Sequence, residues 1–170
     1  MQSVRGMNVL VTGAAMGLGK LFAANAVREG AATVVLWDAN EVALKETAAE
    51  LEAAGGVIQY EIVDVSSQTR VAEAAERVRA DLGTIHVLFN NAGIVRGNGY
   101  FWESRPRDFL LTMEVNSVGP MLVAREFLPA MIDSGSDCRL VNIASSAGLN
   151  AIPRMAAYAA SKWAAVGFSD

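Results

Sequence analysis

The chain has 170 residues, of which 52% are apolar and 19% are charged, and its formal net charge is −4. This length suits one domain, and the apolar fraction excludes a disordered chain. The negative balance gives no reason to expect nucleic-acid binding.

Strand-like and helix-like patterns alternate along the chain. Buried strands are predicted at residues 7–12, 32–38, 57–63, 85–89 and 139–144. Helices are predicted at residues 17–29, 40–54 and 67–82, the second of them capped by Asn40 or Asp38. Residues 90–107 form a loop with room for a short helix. Residues 108–133 are predicted as one long helix that Pro120 kinks or that bends there. Another helix follows Pro153 and still continues at Asp170.

Five continuous apolar runs separated by helices indicate a parallel sheet covered on both faces. The predicted fold is therefore a doubly wound, Rossmann-like α/β sheet, and residues 1–170 form a single domain. Ligands bind such sheets at the carboxyl ends of the strands. The residues of chemical interest stand at those ends, namely Gly13, Asp38, Asp64, Asn90 and Ser145.

A glycine-rich turn, TGAAMGLG, joins the first strand to the first helix. Glycines let the backbone approach a pyrophosphate, whose charge the helix N-terminus favours. The spacing is Gly-x-x-x-Gly-x-Gly rather than Gly-x-Gly-x-x-Gly, and a tight turn without a ligand is the alternative. The predicted cofactor contacts in this turn are Gly13, Met16, Gly17, Leu18 and Gly19.

Two carboxylates end the next two strands. Asp38 is placed to bind a ribose diol and would repel a 2′-phosphate. Met16 is apolar and no arginine directly follows Asp38, so NAD is favoured over NADP. A helix N-cap is the alternative role for Asp38. Asp64 is placed to bind an adenine amino group, or else serves as an N-cap or turn residue.

The fourth strand is closed by the sequence NNAG, residues 90–93. Buried asparagines at a strand end can tie neighbouring strands together through their amides. Gly93 lets the backbone lie close to a cofactor. A structural role is preferred for this segment, with cofactor contact second.

Tyr158 and Lys162 lie four residues apart, so in a helix they share one face. A cation beside a phenol lowers its pKa from about 10, which makes a base that works near neutral pH. Ser145, thirteen residues before the tyrosine, can polarise an oxygen. The three residues indicate proton transfer to or from an alcohol oxygen.

Together these motifs resemble the short-chain dehydrogenase/reductase family, and the resemblance covers the whole chain. It is carried by TGxxxGxG at 12–19, NNAG at 90–93, Tyr158-x-x-x-Lys162 and the spacing of Ser145. The runs LWD at 36–38, GLGK at 17–20 and ASSAG at 144–148 look like the branch that contains retinol and 17β-hydroxysteroid dehydrogenases.

The resemblance implies an NAD-dependent oxidoreductase that transfers a hydride between NAD(H) and a secondary alcohol or ketone. It implies that Tyr158 is the general acid/base, that Lys162 lowers its pKa and binds the nicotinamide ribose, and that Ser145 holds the substrate oxygen. Asn116 matches the family asparagine that holds a proton-relay water. The alternative is a buried helix asparagine satisfied by backbone. The remaining implied cofactor contacts are Asp64, Val65, Asn91, Ala92, Gly93 and Tyr158.

Two features depart from the family pattern. His86 stands where the family usually has Asp, and its place at the start of a strand favours a structural or surface role. The chain also stops at Asp170, so the final strands of the family are expected to be lacking. A truncated, non-catalytic chain that binds nucleotide at most, or acts as an assembly partner, is the alternative function.

The expected surroundings follow from the remaining segments. The first residues, from Met1, are too polar and too short for a signal peptide, and no apolar run of 18 residues exists. With Cys138 as the lone cysteine, no disulfide or metal site is expected and the location is expected to be cytoplasmic.

The resemblance also implies partners. The helix at residues 108–133 and the helix carrying Tyr158 pack subunits together in the family, so a homodimer or homotetramer is expected. The substrate is expected to be a small alcohol or carbonyl compound. Residues 100–102, Tyr-Phe-Trp, either line an apolar substrate pocket or, the preferred interpretation, pack into the core.

Overall fold

The computed structural model describes residues 3–169. The strands are β1 (Asn8–Thr12), β2 (Thr33–Asp38), β3 (Ile58–Ile62), β4 (Val87–Asn90) and β5 (Arg139–Asn142). The helices are α1 (Gly17–Arg28), α2 (Glu41–Ala53), α3 (Gln68–Leu82), α4 (Pro106–Met113), α5 (Gly119–Asp133) and α6 (Ala156–Ser169). Met1, Gln2 and Asp170, which entered the expectations about a leader and the last helix, lie outside the described residues.

All strand pairs in the sheet are parallel, in the order β3-β2-β1-β4-β5. The chain moves outward from β1 to β3 and then crosses back to place β4 on the other side of β1. The strand order therefore reverses between β1 and β4, and the carboxyl ends of these two strands flank the crevice in which such folds bind ligands. The doubly wound, Rossmann-like prediction is confirmed.

The sheet has an apolar core on each face, because successive residues of a strand point to opposite faces. Leu10 and Val35 face the core that includes Phe127 of α5. Val9 and Val34 face the core built with α1 and α2. The continuous apolar runs in β1 and β2 thus supply both cores, as expected for central parallel strands.

The edge strands depart from the expected continuous burial. Gln59 and Glu61 interrupt β3, and its Tyr60 and Ile62 are 43% and 36% exposed. Four-residue β5 is also only partly buried. Each of these strands has a single neighbour in the sheet, so only the central strands needed apolar residues throughout.

The predicted helix over residues 108–133 is one helical rod with a wider turn in its middle. α4 passes into a π-helical turn, Glu114–Val118, and then into α5. The Gly119 N–H donates to the carbonyl of Glu114, five residues back, just before Pro120. A proline has no N–H to donate to the preceding turn. The π-helical turn therefore accommodates Pro120, which was expected to kink the helix.

Helix ends resolve two alternatives. The Asn40 side chain accepts from Ala43 N at 3.2 Å, so Asn40 rather than Asp38 caps α2. At the opposite end of the sheet, His86 Nδ1 accepts from Asn8 N at 3.1 Å, which is the structural role expected for that histidine.

Among residues 3–169, no helix has both the length and the apolar character needed to cross a bilayer.

Candidate functional site

A cavity of about 720 Å³ opens at the carboxyl ends of the strands. It gathers most of the predicted site residues, which come from distant parts of the chain. Those in its lining are Gly13, Met16, Leu18, Asp38, Asp64, Val65, Asn91, Ala92, Gly93, Ser145, Tyr158 and Lys162. Three predicted residues are outside the lining, namely Gly17, Gly19 and Asn116.

The glycine-rich turn packs directly on the segment that closes β4. Asn91 Nδ2 donates to the carbonyls of Thr12 and Gly13 at 2.9 and 3.1 Å. Gly13 has φ +65°, and a Cβ there would lie 2.8 Å from Ala92 Cα. A Cβ at Gly19 would lie 2.0 Å from the Gly13 carbonyl oxygen. Close backbone approach therefore explains these glycines, and Asn91 ties the ends of β1 and β4 together.

Asn90 makes the second tie between strands. Its Nδ2 donates to Asn142 Oδ1 of β5 at 2.9 Å and to the carbonyl of Pro120 at 3.1 Å. The structural role that was preferred for the asparagine pair is thus present in the geometry of both residues.

The N-terminus of α1 is the feature of the cavity that suits a phosphate. Met16, the residue before the helix, makes no side-chain cap, and no acidic residue lies in the first turn. In contrast, Asn40 and Ser67 cap α2 and α3. The unpaired N–H groups and the helix dipole favour an anion here, and Met16 and Leu18 line the cavity beside them. The residues present therefore fit a dinucleotide.

Both carboxylates of the cavity are bound to backbone N–H groups. Asp38 accepts from Ala15 N and Asn40 N, each at 2.9 Å, which fixes it between the glycine-rich turn and the start of α2. Asp64 Oδ1 accepts from Ser66 N at 2.9 Å and from Ser66 Oγ at 2.7 Å. Asp64 is thus a turn residue whose side chain also reaches the cavity, and its contact with adenine stays a prediction.

Lys162 and Tyr158 lie on one face of α6, as their spacing predicts. Lys162 is only 5% exposed, and its Nζ lies 5.8 Å from the centre of the Tyr158 ring. Nζ donates to the carbonyl of Ile143, just beyond β5, at 2.7 Å. Burial of the ammonium lowers the pKa of Lys162.

The hydroxyl of Ser145 is oriented by its own turn. Ser145 precedes a short 3₁₀ turn, Ser146–Gly148, and its Oγ accepts from Ala147 N at 3.2 Å. Because Oγ is the acceptor in that bond, its own proton is available to donate into the cavity. A hydroxyl donor and a phenol therefore line the same space.

Asn116 takes the backbone-satisfied arrangement that was the alternative to the relay role. Its Oδ1 accepts from Ile94 N and its Nδ2 donates to the Ile94 carbonyl, both at 2.8 Å. Nδ2 also donates to Ser161 Oγ at 3.0 Å. The side chain, 1% exposed, is committed to holding the cavity walls together. A role with a relay water is not tested by these contacts.

The preferred interpretation of the aromatic run at 100–102 was wrong. Tyr100, Phe101 and Trp102 are 45%, 57% and 77% exposed, and none of them lines the cavity. Tyr100 stacks on Trp102 with ring centres 4.8 Å apart, and the Arg154 guanidinium lies 5.0 Å from the Tyr100 ring centre. Phe101 contacts Phe109 instead, with ring centres 5.8 Å apart. The run of aromatic residues does not reveal these surface contacts.

Sequence reasoning missed two participants in the site. The Ile143 carbonyl holds Lys162, and a backbone acceptor carries no sequence signal. Arg96 lines the cavity three residues beyond Gly93, and its position just after the NNAG segment was the available signal. Within residues 3–169, His, Cys, Asp and Glu side chains form no group of three or more that could hold a metal ion.

Comparison with known proteins shows the family. A sequence model described as short chain dehydrogenase matches residues 7–170. Estradiol 17-beta-dehydrogenase 11 of Pongo abelii is 38% identical over 167 residues, which are 98% of this chain and 55% of that protein. The chain thus spans about half the length of this relative. 2-Dehydro-3-deoxy-L-rhamnonate dehydrogenase (NAD(+)) of Sphingomonas sp. is 40% identical over 164 residues, covering 96% and 64% of the two chains.

Solved structures agree with the fold. A short chain dehydrogenase/reductase from Burkholderia phymatum in complex with NAD superposes with a TM-score of 0.95 and 37% identity, covering 99% of this chain and 59% of that one. A metagenomic short-chain oxidoreductase in complex with NADP gives 0.92 and 35%, covering 98% and 75%. The family and the branch containing 17β-hydroxysteroid dehydrogenases are confirmed, whereas the choice between the two cofactors stays a prediction.

The buried ammonium of Lys162 predicts a pH effect on stability. Between its lowered pKa and the ordinary value of 10.5, the unfolded chain keeps this proton and the folded chain has released it. The free energy of unfolding should therefore rise with pH in that window. Urea unfolding at a series of pH values up to 10.5 should show wild type gaining stability relative to Lys162→Met as the pH rises. Lys45→Met, at an exposed lysine paired with Glu41, should leave the gain in place. Parallel curves for wild type and Lys162→Met would contradict the prediction.

Proposed function

The chain belongs to the short chain dehydrogenase family, and we propose that it is an NAD-dependent oxidoreductase that interconverts a secondary alcohol and a ketone. One observation carries the proposal. A single cavity contains the uncapped start of α1, the carboxylate of Asp38, and the side chains of Ser145, Tyr158 and Lys162. The first two suit a dinucleotide and the last three suit proton transfer at an alcohol oxygen.

NAD would lie along the carboxyl ends of the strands. Its pyrophosphate would meet the N-terminus of α1, and its adenosine end would lie toward Asp38 and Asp64. Both Asp38 oxygens accept backbone N–H groups, which fixes the carboxylate in a position where it would repel a 2′-phosphate. We therefore favour NAD over NADP. When bound, the cofactor supplies the hydride acceptor.

The protein's own residues handle the substrate oxygen and its proton. In the oxidative direction Tyr158 takes the hydroxyl proton as general base. Ser145 donates a hydrogen bond to the same oxygen, because its Oγ already accepts from Ala147 N. The Lys162 ammonium, held on the Ile143 carbonyl, lies 5.8 Å from the centre of the Tyr158 ring and would bind the nicotinamide ribose. Asn116 positions α6 through Ser161, and we retain its proton-relay role as part of the proposal.

Tyr158→Phe tests the chemistry. With the secondary alcohol that wild type oxidises fastest, kcat should fall by about 10²- to 10⁴-fold, the usual contribution of a general acid/base. NADH should still bind, because the glycine-rich turn, Asp38 and Lys162 remain in the cavity. Tyr60→Phe, at an exposed tyrosine on β3, is the matched control. Unaltered turnover in Tyr158→Phe would exclude the proposed base. NADH binding by a wild type that oxidises no alcohol would favour nucleotide binding alone.

Asp38→Asn tests the cofactor choice. The substitution keeps the side-chain shape and removes the charge, so the preference for NADH over NADPH should narrow by about 10-fold or more, the cost of losing a charged hydrogen-bond partner. Isothermal titration with each nucleotide gives the ratio directly. Asp81→Asn, at an exposed carboxylate on α3, should leave the ratio unchanged. A constant ratio in Asp38→Asn would show that other groups select the cofactor.

We also propose a homodimer or homotetramer that uses α4, α5 and α6. Exposed apolar side chains lie on all three helices, and Leu110, Ile132 and Trp163 are 54%, 73% and 53% exposed. Burying such side chains between copies removes apolar surface from water. Light scattering at micromolar concentration should give at least twice the 18.0 kDa chain mass. A monomer under those conditions would exclude this assembly.

A further inference from the structure

Charge is distributed unequally along the cavity. Four charged side chains line it, namely Asp38, Asp64, Arg96 and Lys162. Asp38 ends β2 and Asp64 lies just beyond β3. Arg96 lies beyond β4, and Lys162 binds the chain just beyond β5. Since the sheet order is β3-β2-β1-β4-β5, negative and positive groups lie on opposite sides of β1. The side that holds Ser145 and Tyr158 is therefore the positive side.

Arg96 is the cation of this lining that has no protein acceptor among residues 3–169. The Lys162 ammonium already donates to the Ile143 carbonyl. The neighbouring Arg105 is paired with Asp108 at 2.8 Å. Arg96 makes no ion pair or hydrogen bond with the described residues, although its charge helps to lower the pKa of Asp108. The guanidinium of exposed Arg96, with five donors, therefore lines the same cavity as Ser145 and Tyr158.

The segment that carries Arg96 is fastened to its surroundings. Ser104 Oγ donates to the Gly97 carbonyl at 3.1 Å, and Gly99 N donates to the Arg154 carbonyl at 2.9 Å. Arg154 is itself engaged, because its Nη2 donates to Tyr100 Oη at 3.3 Å. These hydrogen bonds hold the backbone on either side of the segment, so less conformational entropy is lost when Arg96 binds a ligand.

The other walls on this side are apolar. Ile94, Leu111 and Val115 line the cavity together with Arg96. Such a lining accommodates carbon atoms and leaves one strong polar anchor, the usual composition of a small-molecule site. A planar guanidinium binds a carboxylate through two parallel hydrogen bonds, which no neutral group matches.

We propose that Arg96 binds a carboxylate of the substrate, so that the substrates are hydroxy acids and the products keto acids. The inference rests on the proposed function, and it adds the substrate class. The carboxylate is an anchor and forms no covalent bond. The carbinol C–H bond breaks with its electron pair passing to bound NAD, the hydroxyl proton passes to Tyr158, and the carbon–oxygen bond becomes a carbonyl.

The experiment compares alcohols that differ only in the anchor. The matched pairs are xylitol and xylonate, propane-1,2-diol and lactate, and butane-1,3-diol and 3-hydroxybutanoate. For wild type, kcat/KM should be about 10- to 100-fold higher for the acid of at least one pair, as expected for a charged hydrogen bond. Arg96→Gln should lower kcat/KM for the acid by more than for the neutral alcohol and so abolish that difference, while Arg96→Lys should retain part of it. Arg107→Gln, an exposed arginine outside the cavity lining, is the control.

NADH titration of the same variants separates the two proposals. Unchanged NADH affinity in Arg96→Gln is expected. Weakened NADH affinity would assign Arg96 to the cofactor phosphates and overturn the inference. Three other results would also overturn it. The first is an equal loss of kcat/KM on both members of a pair in Arg96→Gln, and the second is a wild type that does not prefer an acid in any pair. The third is a wild type that binds NADH and oxidises neither the acids nor the alcohols. A wild type that binds no NADH would instead overturn the proposed function on which it rests.

Discussion

The buried amide of Asn116 joins three parts of the molecule on which the cavity depends. It binds both backbone groups of Ile94 in the segment after β4, and it binds Ser161 Oγ, which in turn donates to the Tyr158 carbonyl at 2.7 Å. An unsatisfied buried amide costs about 1–3 kcal/mol. Loss of any one of these hydrogen bonds would therefore destabilise this wall of the cavity. The π-helical turn that presents Asn116 therefore sets the position of α6 and of its two chemical side chains.

The second constraint is the close packing at the central strands. Gly13 and Gly19 leave no room for a Cβ against Ala92 and the turn itself, and Asn91 bonds to the turn's carbonyls. These contacts draw the start of α1 against the end of β4 at the switch in strand order. The glycine-rich turn and the side chains of Ser145 and Tyr158 thus share one cavity, because the carboxyl ends of parallel strands lie at the same end of the sheet. The two carboxylates and the two cations of its lining lie on opposite sides of β1.

Most of the fold was predictable because its signals are local. Continuous apolar runs mark β1 and β2, and Gly83 with φ +67° ends α3 where a helix stop was expected. Edge strand β3 was read as continuously apolar because position within a sheet is not a local property. The surface aromatic cluster was misassigned for a related reason. Tyr100 stacks on Trp102 and accepts a hydrogen bond from Arg154, which lies 54 residues away in the sequence.

The sequence by itself determined which groups are available and which of them share a helix face. Tyr158 and Lys162 meet because a helix repeats every 3.6 residues, and this holds without any tertiary contact. Only the tertiary structure decided what those groups bind. Lys162 is held by the Ile143 carbonyl and Asn116 by Ile94, whereas Arg96 has no acceptor among residues 3–169. The physical reason is that every residue carries the same backbone donors and acceptors, so their pairing depends on which segments folding brings together.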